Sequence, residues 1–562
     1  MTERRFLRFT RALLSVRSPY FKSLFTKNSH GDYDEVEILD TPGDLVSLLI
    51  EYIYSNSCRL TKDNIDRVLA ASERFQIPGL REYCAQYLNF GLKPENALGL
   101  LRYARSRNLP DLASLAHRYV TTHFHEIVLR SDEFYRMDAR RLAEYLRDDF
   151  LNARSEELVF ETVIKWVAVD SEKRIEFLPQ LLRSVRFGLV SYKFLTEQVL
   201  PHPFIANNEK TQIALYEPSV FLAEAESKPA FEIDINDPLA RPRIPNQILF
   251  ALGGWSAGAP TNFIETYDAR SDRWFLHVSE DAPPSSYHGL VVLDNKIYMV
   301  GGFDGNTHFS NTRVYDPTTQ TWEEKACMYY PRCYVSVCEL AGKIYALGGY
   351  DGRTRMRSAE RYSPGDNQWE LLEPMQRQRS DASACSARGK VFICGGFNGQ
   401  EVLNSVEAYD PDARTWTYFR PMLSPRSGVS FVCYRGSLYA LGGFNGFGRM
   451  NSSECYDFDT GHWQEIPPMH TARSNFAATV MEDLVYVVGG FNGTTTISNV
   501  ECYDKTTDRW YDVGWMNINR SALAACVLTD PPNKREYSYL SKAQVPDLPD
   551  PSSSNNNTNT TK

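Results

Sequence analysis

Several features that would place a protein in a functional class are missing from this 562-residue sequence. No apolar run approaches the ~20 residues that a membrane-spanning helix needs, and Met1–Phe6 opens without the apolar core of a secretory signal. The eleven cysteines are scattered and form no Cys-x-x-Cys, so we expect neither a disulfide scaffold nor a zinc site. The net charge of −9 argues against a general nucleic-acid binder. We therefore expect a cytoplasmic protein with no membrane or nucleic-acid partner.

What the sequence does have is a sixfold repeat between Gln247 and Leu528. A Gly-Gly pair recurs at intervals of 48 or 47 residues, with a Tyr 13 residues and a Trp 20 residues after its second Gly. The pairs begin at Gly253, Gly301, Gly348, Gly395, Gly442 and Gly489. The tyrosines are Tyr267, Tyr315, Tyr362, Tyr409, Tyr456 and Tyr503, and the tryptophans are Trp274, Trp322, Trp369, Trp416, Trp463 and Trp510.

A period near fifty residues with glycines and aromatics at fixed offsets predicts a β-propeller of four-stranded blades. Apolar runs such as Lys343–Leu347 end at the Gly pair, where small residues allow a tight turn. The first repeat lacks the preceding run that the others have, and the surplus run Arg520–Leu528 can supply it. We therefore predict six blades, with the first one built from both ends of the domain so that the ring closes.

The recurring charged residues of the repeats do not form a catalytic constellation. Their Glu and Arg columns are expected to satisfy one another within or between blades, because buried charges need partners. The propeller's histidines occupy different repeat positions, and no P-loop occurs. Gly254–Gly258 spells a nucleophile elbow, but that motif needs a strand-to-helix turn. We expect no catalytic residue, no metal and no cofactor. The columns are Glu265, Glu360, Glu407, Glu454 and Glu501, and Arg332, Arg379, Arg426, Arg473 and Arg520.

Positions that differ between repeats are where recognition is expected. They are the aromatic residue directly after each Gly pair and one residue in the turn before each inner strand. An aromatic ring with scattered polar groups suits a peptide of a partner protein, because aromatics dominate interface hot spots. The alternative is that these aromatics only plug the channel mouth. We predict substrate-protein binding at Trp255, Tyr287, Phe303, Tyr334, Tyr350, Asp381, Phe397, Phe444, Asn475 and Phe491.

The first half of the chain is predicted to contain two further domains. Residues 1–90 have the pattern of helices and short strands, whereas residues 91–222 are helical throughout. Ser155 can cap a helix that carries two glutamates in its first turn. Residues 223–246 are expected to be a stiff linker into the propeller at 247–529. The tail 530–562 is expected to be disordered, because its polar end cannot build a core.

These segments carry a family resemblance. Arg11–Phe25 resembles the helix pair of BTB domains, and Asn152–Val167 followed by Leu178–Arg186 resembles a BACK domain. With a BTB-like segment, a BACK-like segment and six Kelch repeats in this order, the chain resembles the kelch-like proteins. The expected fold is an α/β BTB remnant, an all-α BACK domain and an all-β Kelch propeller. A family BTB domain begins some forty residues earlier, so we expect a BTB domain whose N-terminal part is missing.

The resemblance implies a substrate-recognition adaptor of a cullin-3 RING ubiquitin ligase, without catalysis of its own. The BTB and BACK parts would bind cullin-3, with contacts expected at Ser29, His30, Tyr33 and Tyr54, while the propeller holds the substrate. A homodimer through the BTB domain is also implied, although the front of that domain is missing from the sequence. One member of the family adds a role in spermatogenesis. The alternative is a scaffold that binds actin or another cytoskeletal protein through the propeller, without a ligase.

Overall fold

The computed structural model describes residues 9–27, 38, 40–226, 237–277 and 282–539. The chain divides into two compact units, Met1–Arg241 and Pro242–Lys562. The described part of the first unit is helical, and that of the second is built from β-sheets with one short helix near its end.

The first unit contains helices only among its described residues, so the short strands expected in 1–90 are not found there. The α-helices are Arg11–Arg17, Pro19–Lys27, Gly43–Ser55, Ile65–Arg74, Leu80–Phe90, Ala97–Ser106, Pro110–Thr122, Phe124–Arg130, Ala139–Arg147, Glu156–Ala168, Ser171–Arg174, Leu178–Leu182, Tyr192–Phe194, Pro203–Ala206 and Glu209–Ala225. Short 3₁₀ turns span Phe134–Arg136, Ile175–Phe177 and Phe187–Leu189, and a π-helical turn spans Leu195–Val199.

The apolar faces of these helices form two cores in this unit. One is built from residues between 14 and 112, and the other from residues between 97 and 222. In the helix Glu156–Ala168, the Ser155 hydroxyl accepts the Leu158 N–H at 3.3 Å, which confirms the predicted cap. Val159, Val163 and Val167 of that helix are buried, as helical spacing requires. The two cores overlap in sequence between residues 97 and 112, and the domain boundary at residue 90 stays a prediction.

The second unit contains six four-stranded antiparallel sheets, which are the six blades of the predicted propeller. Blade 1 has strands Ala524–Thr529, Gln247–Leu252, Ile264–Asp268 and Arg273–His277; blade 2 has Gly289–Leu293, Lys296–Val300, Thr312–Asp316 and Thr321–Lys325; and blade 3 has Ser336–Leu340, Lys343–Leu347, Ala359–Ser363 and Gln368–Leu372. Blade 4 has Ser383–Ala387, Lys390–Cys394, Val406–Asp410 and Thr415–Phe419; blade 5 has Ser430–Tyr434, Ser437–Leu441, Ser453–Asp457 and His462–Ile466; and blade 6 has Ala477–Met481, Leu484–Val488, Val500–Asp504 and Arg509–Val513. Trp255–Ser256 and Ala259–Pro260 form a small ribbon.

Blade 1 is assembled from both ends of the domain. The strand Ala524–Thr529 pairs antiparallel with Gln247–Leu252, with Gln247 opposite Thr529 and Leu252 opposite Ala524. This pairing gives the inner edge of Gln247–Leu252 a partner and closes the ring, because an unpaired strand edge would otherwise expose its backbone groups. The predicted closure is confirmed.

The Trp and Tyr columns join neighbouring blades. In five blades the indole N–H donates to a backbone carbonyl of the preceding blade, at 2.7–3.0 Å. Within a blade each Tyr ring lies 5.1–5.4 Å from the Trp ring, centre to centre. The first Gly of each pair holds a positive φ, and a Cβ there would lie 2.3–2.8 Å from a carbonyl oxygen of the next blade. The Trp, Tyr and Gly columns therefore have a structural role in packing the blades.

Five blades contain a fully buried Arg–Glu ion pair between the predicted charged columns, at 2.6–2.9 Å. In each pair the Arg also donates to the carbonyl of the first Gly, at 2.6–3.0 Å. The expectation that the columns satisfy one another is confirmed. Blade 2 differs, because Ser285 takes the Arg position and Arg313 pairs with Glu324 instead. His288, three residues after Ser285, is buried next to Gly253 and Gly302, and burial lowers its pKa to about 4.

Two expectations about connecting segments need correction. The linker predicted at 223–246 begins inside the helix Glu209–Ala225, and Arg243 and Ile244, which already belong to the propeller unit, are buried. Residues 530–539 are ordered against blades 1 and 2, although the tail was expected to be disordered from 530. Tyr537 is fully buried, lies 4.9 Å from Phe250 between ring centres, and donates to the Pro317 carbonyl at 2.6 Å. Asn533 also donates to the Pro317 carbonyl, at 2.8 Å, and the Tyr539 N–H donates to Asp268 at 3.1 Å. Residues 540–562 lie outside the described part of the chain.

Candidate functional site

The turn before each inner strand places one residue at the mouth of the central channel. These six residues have left-handed φ values of 50–59°, and they are Tyr287, Tyr334, Asp381, Gly428, Asn475 and Ala522. Their backbones are linked from blade to blade: Ala522 N–H donates to the Asn475 carbonyl at 2.7 Å, and Tyr287 N–H donates to the Ala522 carbonyl at 2.9 Å. We call these six residues the inner ring.

Side chains of the inner ring interact mainly with one another. The Tyr287 and Tyr334 rings lie 3.9 Å apart between centres, and the Asn475 amide donates to an Asp381 carboxylate oxygen at 2.9 Å. Gly428 lies between Asp381 and Asn475, and a Cβ there would come within 2.8 Å of the Asn475 side-chain oxygen. The ring thus has an aromatic half and a polar half above a cavity of about 180 Å³ lined by the inner strands.

Asp381 is the only carboxylate of the inner ring. Burial raises the pKa of this carboxyl to about 6, an effect that the Asn475 hydrogen bond, the charge of Arg355 and the Ser380 hydroxyl partly offset. Burial is also the main cause of the raised pKa values of Tyr287 and Tyr334, to which the Asp381 charge contributes. The channel mouth therefore combines a carboxyl group with two tyrosine rings on which its charge acts.

The aromatic residues after the Gly pairs lie around the inner ring, and we call them the aromatic circle. They are partly buried, and each forms a backbone bridge to the residue preceding an inner-ring residue. The bridges are Trp255 to Ser521, Phe303 to Ser286, Tyr350 to Cys333, Phe397 to Ser380, Phe444 to Ser427 and Phe491 to Ser474. All ten predicted substrate-binding residues therefore belong to two adjacent rings on one face. Whether they bind a substrate stays a prediction.

Three cationic or titratable side chains of this face were missed by the sequence analysis. The Arg355 guanidinium lies 5.3 Å from the Tyr350 ring centre and 4.6 Å from that of Phe397. Arg449 is placed in the same way between Phe444 and Phe491, and the His308 ring contacts Phe303 and Tyr350. All three come five residues after a member of the aromatic circle. Comparing that column across repeats, where Pro260, Val402 and Thr496 also occur, could have found them.

In blades 2 to 6, the Asp or Asn that follows the member of the aromatic circle holds a turn. The Asp351 side chain accepts the backbone N–H groups of Arg353 and Thr354 at 2.8 and 2.7 Å. Asn398 makes the same two contacts in the next blade, at 2.8 Å each. Either an Asp or an Asn therefore fits this position, because both backbone N–H groups are accepted by a single side-chain oxygen.

One group of possible metal ligands stands together in the described part of the chain, made of His470, Glu501 and Asp512. His470 Nδ1 lies 3.2 Å from an Asp512 oxygen and 3.8 Å from a Glu501 oxygen. The buried Glu501 already pairs with Arg473 at 2.6 Å. The group is accounted for as an extension of that ion pair.

Of the predicted cullin contacts, Ser29, His30 and Tyr33 lie outside the described residues. Tyr54 lies at the end of the helix Gly43–Ser55 and is 49% exposed, and its hydroxyl accepts the Thr10 N–H at 2.7 Å. An exposed tyrosine at a helix end is available to a partner, and its role stays a prediction. No helix in the described ranges is long and apolar enough to cross a membrane.

Comparison with known proteins matches three family models along the chain. They are described as BTB/POZ domain over residues 1–91, BTB And C-terminal Kelch over 97–200, and Attractin/LZTR1 beta-propeller over 249–500. Kelch-like protein 3 of Danio rerio is 31% identical over 298 residues, which are 53% of this chain and 49% of that protein. Kelch-like protein 3 of Bos taurus and of Homo sapiens are each 32% identical over 304 residues, 53% of this chain and 50% of theirs.

In these alignments the chain spans about half the length of the curated relatives it matches. The BTB and BACK matches cover the helical unit up to residue 200, and the propeller match covers most of the repeats. With six blades and BTB, BACK and propeller matches in that order, the chain has the domain organisation of the kelch-like family.

Proposed function

We propose that this protein is the substrate-recognition adaptor of a cullin-3 RING ubiquitin ligase, a non-catalytic and cytoplasmic subunit. The propeller holds the substrate protein, and the BTB and BACK part binds the cullin. The observation that carries the proposal is the combination, in one chain, of the BTB and BACK matches with a propeller face that bears two rings of aromatic and polar side chains.

Such an adaptor works by proximity. Holding a substrate beside the ubiquitin-transferring subunits raises its effective concentration there, so the adaptor needs a binding face and no reacting group. The aromatic circle supports this role, because partly buried aromatics with interleaved arginines are typical of binding hot spots. Arg355 and Arg449 add two flat guanidinium groups that are already ordered by stacking, which reduces the entropy lost on binding.

The test is retention of cullin-3 by the full chain in a pull-down, beside co-sedimentation with actin filaments. We expect cullin-3 to be retained and the protein to stay out of the filament pellet. The variant Tyr54→Ala should weaken retention, whereas Tyr87→Ala, at a tyrosine 36% exposed in the same helical unit, should not. Sedimentation with filaments and no retention of cullin-3 would favour the cytoskeletal scaffold instead.

The tissue role is a further part of the proposal. Ile248–Ser256 and Val487–Gly493 resemble kelch-like protein 10, and this resemblance supports a role in spermatogenesis. Restriction of the transcript to male germ cells is the expected result, and equal abundance in somatic tissues would contradict it.

A further inference from the structure

We propose that the mouth of the central channel receives one basic side chain, a lysine or an arginine, from the protein segment that the propeller binds. The ammonium or guanidinium group would lie against the Tyr287 and Tyr334 rings, which contact each other at an angle of 42°, and would pair with Asp381. This inference rests on the proposed function only in taking the partner to be a protein segment.

The Asp381 carboxylate has acceptor capacity that the chain leaves unused. Its oxygens accept hydrogen bonds from two neutral donors, the Asn475 amide at 2.9 Å and the Ser380 hydroxyl at 3.4 Å. An ionised carboxylate offers about four acceptor sites. Within the described ranges no basic side chain comes within 4.0 Å of it, although Arg355 acts on it from a longer distance. A cation supplied by a partner would complete its coordination.

The remaining walls of the mouth select a cation over other groups. Two tyrosine rings beside a carboxylate attract a cation through their negative π faces as well as by direct charge. Gly428 and Ala522 contribute almost no side chain, so the mouth stays open on their sides above the 180 Å³ cavity. An acidic side chain would be repelled by the negative charge of Asp381. An apolar side chain would remove water from that carboxylate without supplying a hydrogen bond or a counter-ion.

A substitution that removes only this charge is available. Asp381→Asn keeps the left-handed backbone, because Asn475 already holds φ 50° at the equivalent position of blade 6. The matched control is Asp351→Asn, which removes one negative charge from the same face. Its turn should survive, because Asn398 makes the same contacts in the next blade.

The experiment selects a displayed library of random twelve-residue peptides on the full-length chain and on both variants. We expect the wild-type and Asp351→Asn proteins to enrich peptides that share a Lys or Arg at one position. A synthetic peptide of that consensus should bind Asp381→Asn at least about tenfold more weakly, the usual effect of losing a charge-assisted hydrogen bond. A consensus without a basic residue, or equal binding to Asp381→Asn, would overturn the inference and leave the adaptor proposal intact. Absence of any enriched peptide would count against both.

Binding should also depend on pH in a way that identifies the carboxylate. Affinity of the wild-type protein for the consensus peptide should fall about tenfold from pH 7 to pH 5, because protonated Asp381 cannot pair with a cation. The other titratable groups that interact with it are Arg355, Tyr287, Tyr334 and Cys333. Burial raises the pKa of both tyrosines and of the Cys333 thiol, so these three do not titrate in this range. The affinity of the Asp381→Asn variant for the peptide should not show this tenfold decrease between pH 7 and pH 5. An equal pH profile in both proteins would contradict the assignment.

Discussion

Replacing Glu407 by Gln tests whether the buried ion pairs hold the blades together. Glu407 and its partner Arg379 are both fully buried, and one carboxylate oxygen accepts a hydrogen bond from the Arg379 guanidinium at 2.6 Å. Its second oxygen accepts the Gln376 N–H at 2.7 Å. The amide has almost the same shape but no charge, so Arg379 would keep a buried positive charge without a counter-ion. Removing one member of such a pair costs about 3–5 kcal/mol in the free energy of unfolding.

The assay is urea unfolding of the full chain followed by tryptophan fluorescence. Eight of the nine tryptophans belong to the propeller unit and only Trp166 to the helical unit, so the signal reports mainly on the blades. The matched control is Glu401→Gln, since Glu401 is 61% exposed and pairs with Arg377 at 3.0 Å at the surface. An exposed pair of this kind contributes about 0–1 kcal/mol. A free energy of unfolding for Glu407→Gln within about 1 kcal/mol of the control would refute the reasoning.

Two other predictions concern the binding face and blade 2. The double variant Tyr334→Ala with Tyr350→Ala should weaken substrate capture at least about tenfold, the usual effect of losing a hot-spot tyrosine. Its melting temperature should fall by only a few degrees, because both side chains are partly exposed; a variant that unfolds would show that they are core. Because the pKa of His288 is low in the folded protein, this residue binds more protons in the unfolded than in the folded chain between pH 6.5 and 4. The free energy of unfolding therefore decreases as the pH is lowered through this range. His288→Leu, matching Leu523 in blade 1, should reduce the loss between pH 6.5 and 5 by roughly 1–2 kcal/mol in urea unfolding; an unchanged slope would contradict this.

The sixfold spacing predicted much of the propeller, because each column has the same structural task in at least five of the six blades. The Gly pairs approach a carbonyl, the Trp side chains donate to the preceding blade, and the Arg and Glu columns neutralise one another. These tasks depend on local spacing and blade symmetry, so the sequence expresses them directly. The packed stretch around Tyr537 was missed because its contacts with Phe250 and Tyr315 join residues far apart in the chain and follow no repeat.

For the candidate site, the sequence indicated which positions differ between repeats but not how they interact. The columns that contain Asp381 and Asn475 were recognised, yet their bond depends on two side chains 94 residues apart that meet across Gly428. The stacked arginines were missed because each inserts between aromatics of two different blades. Such contacts become visible only when the ring closes and brings the blades around one axis.

By itself, the sequence determined the number of blades, their closure and the order of the domains, since periodicity and hydrophobic patterning are properties of the linear chain. Only the tertiary structure decided that the inner ring has an aromatic half and a polar half, and that Asp381 lies there without a cation within 4.0 Å among the described residues. The physical reason is that the charge balance of the channel mouth depends on distances between side chains from different blades, and linear spacing does not specify those distances.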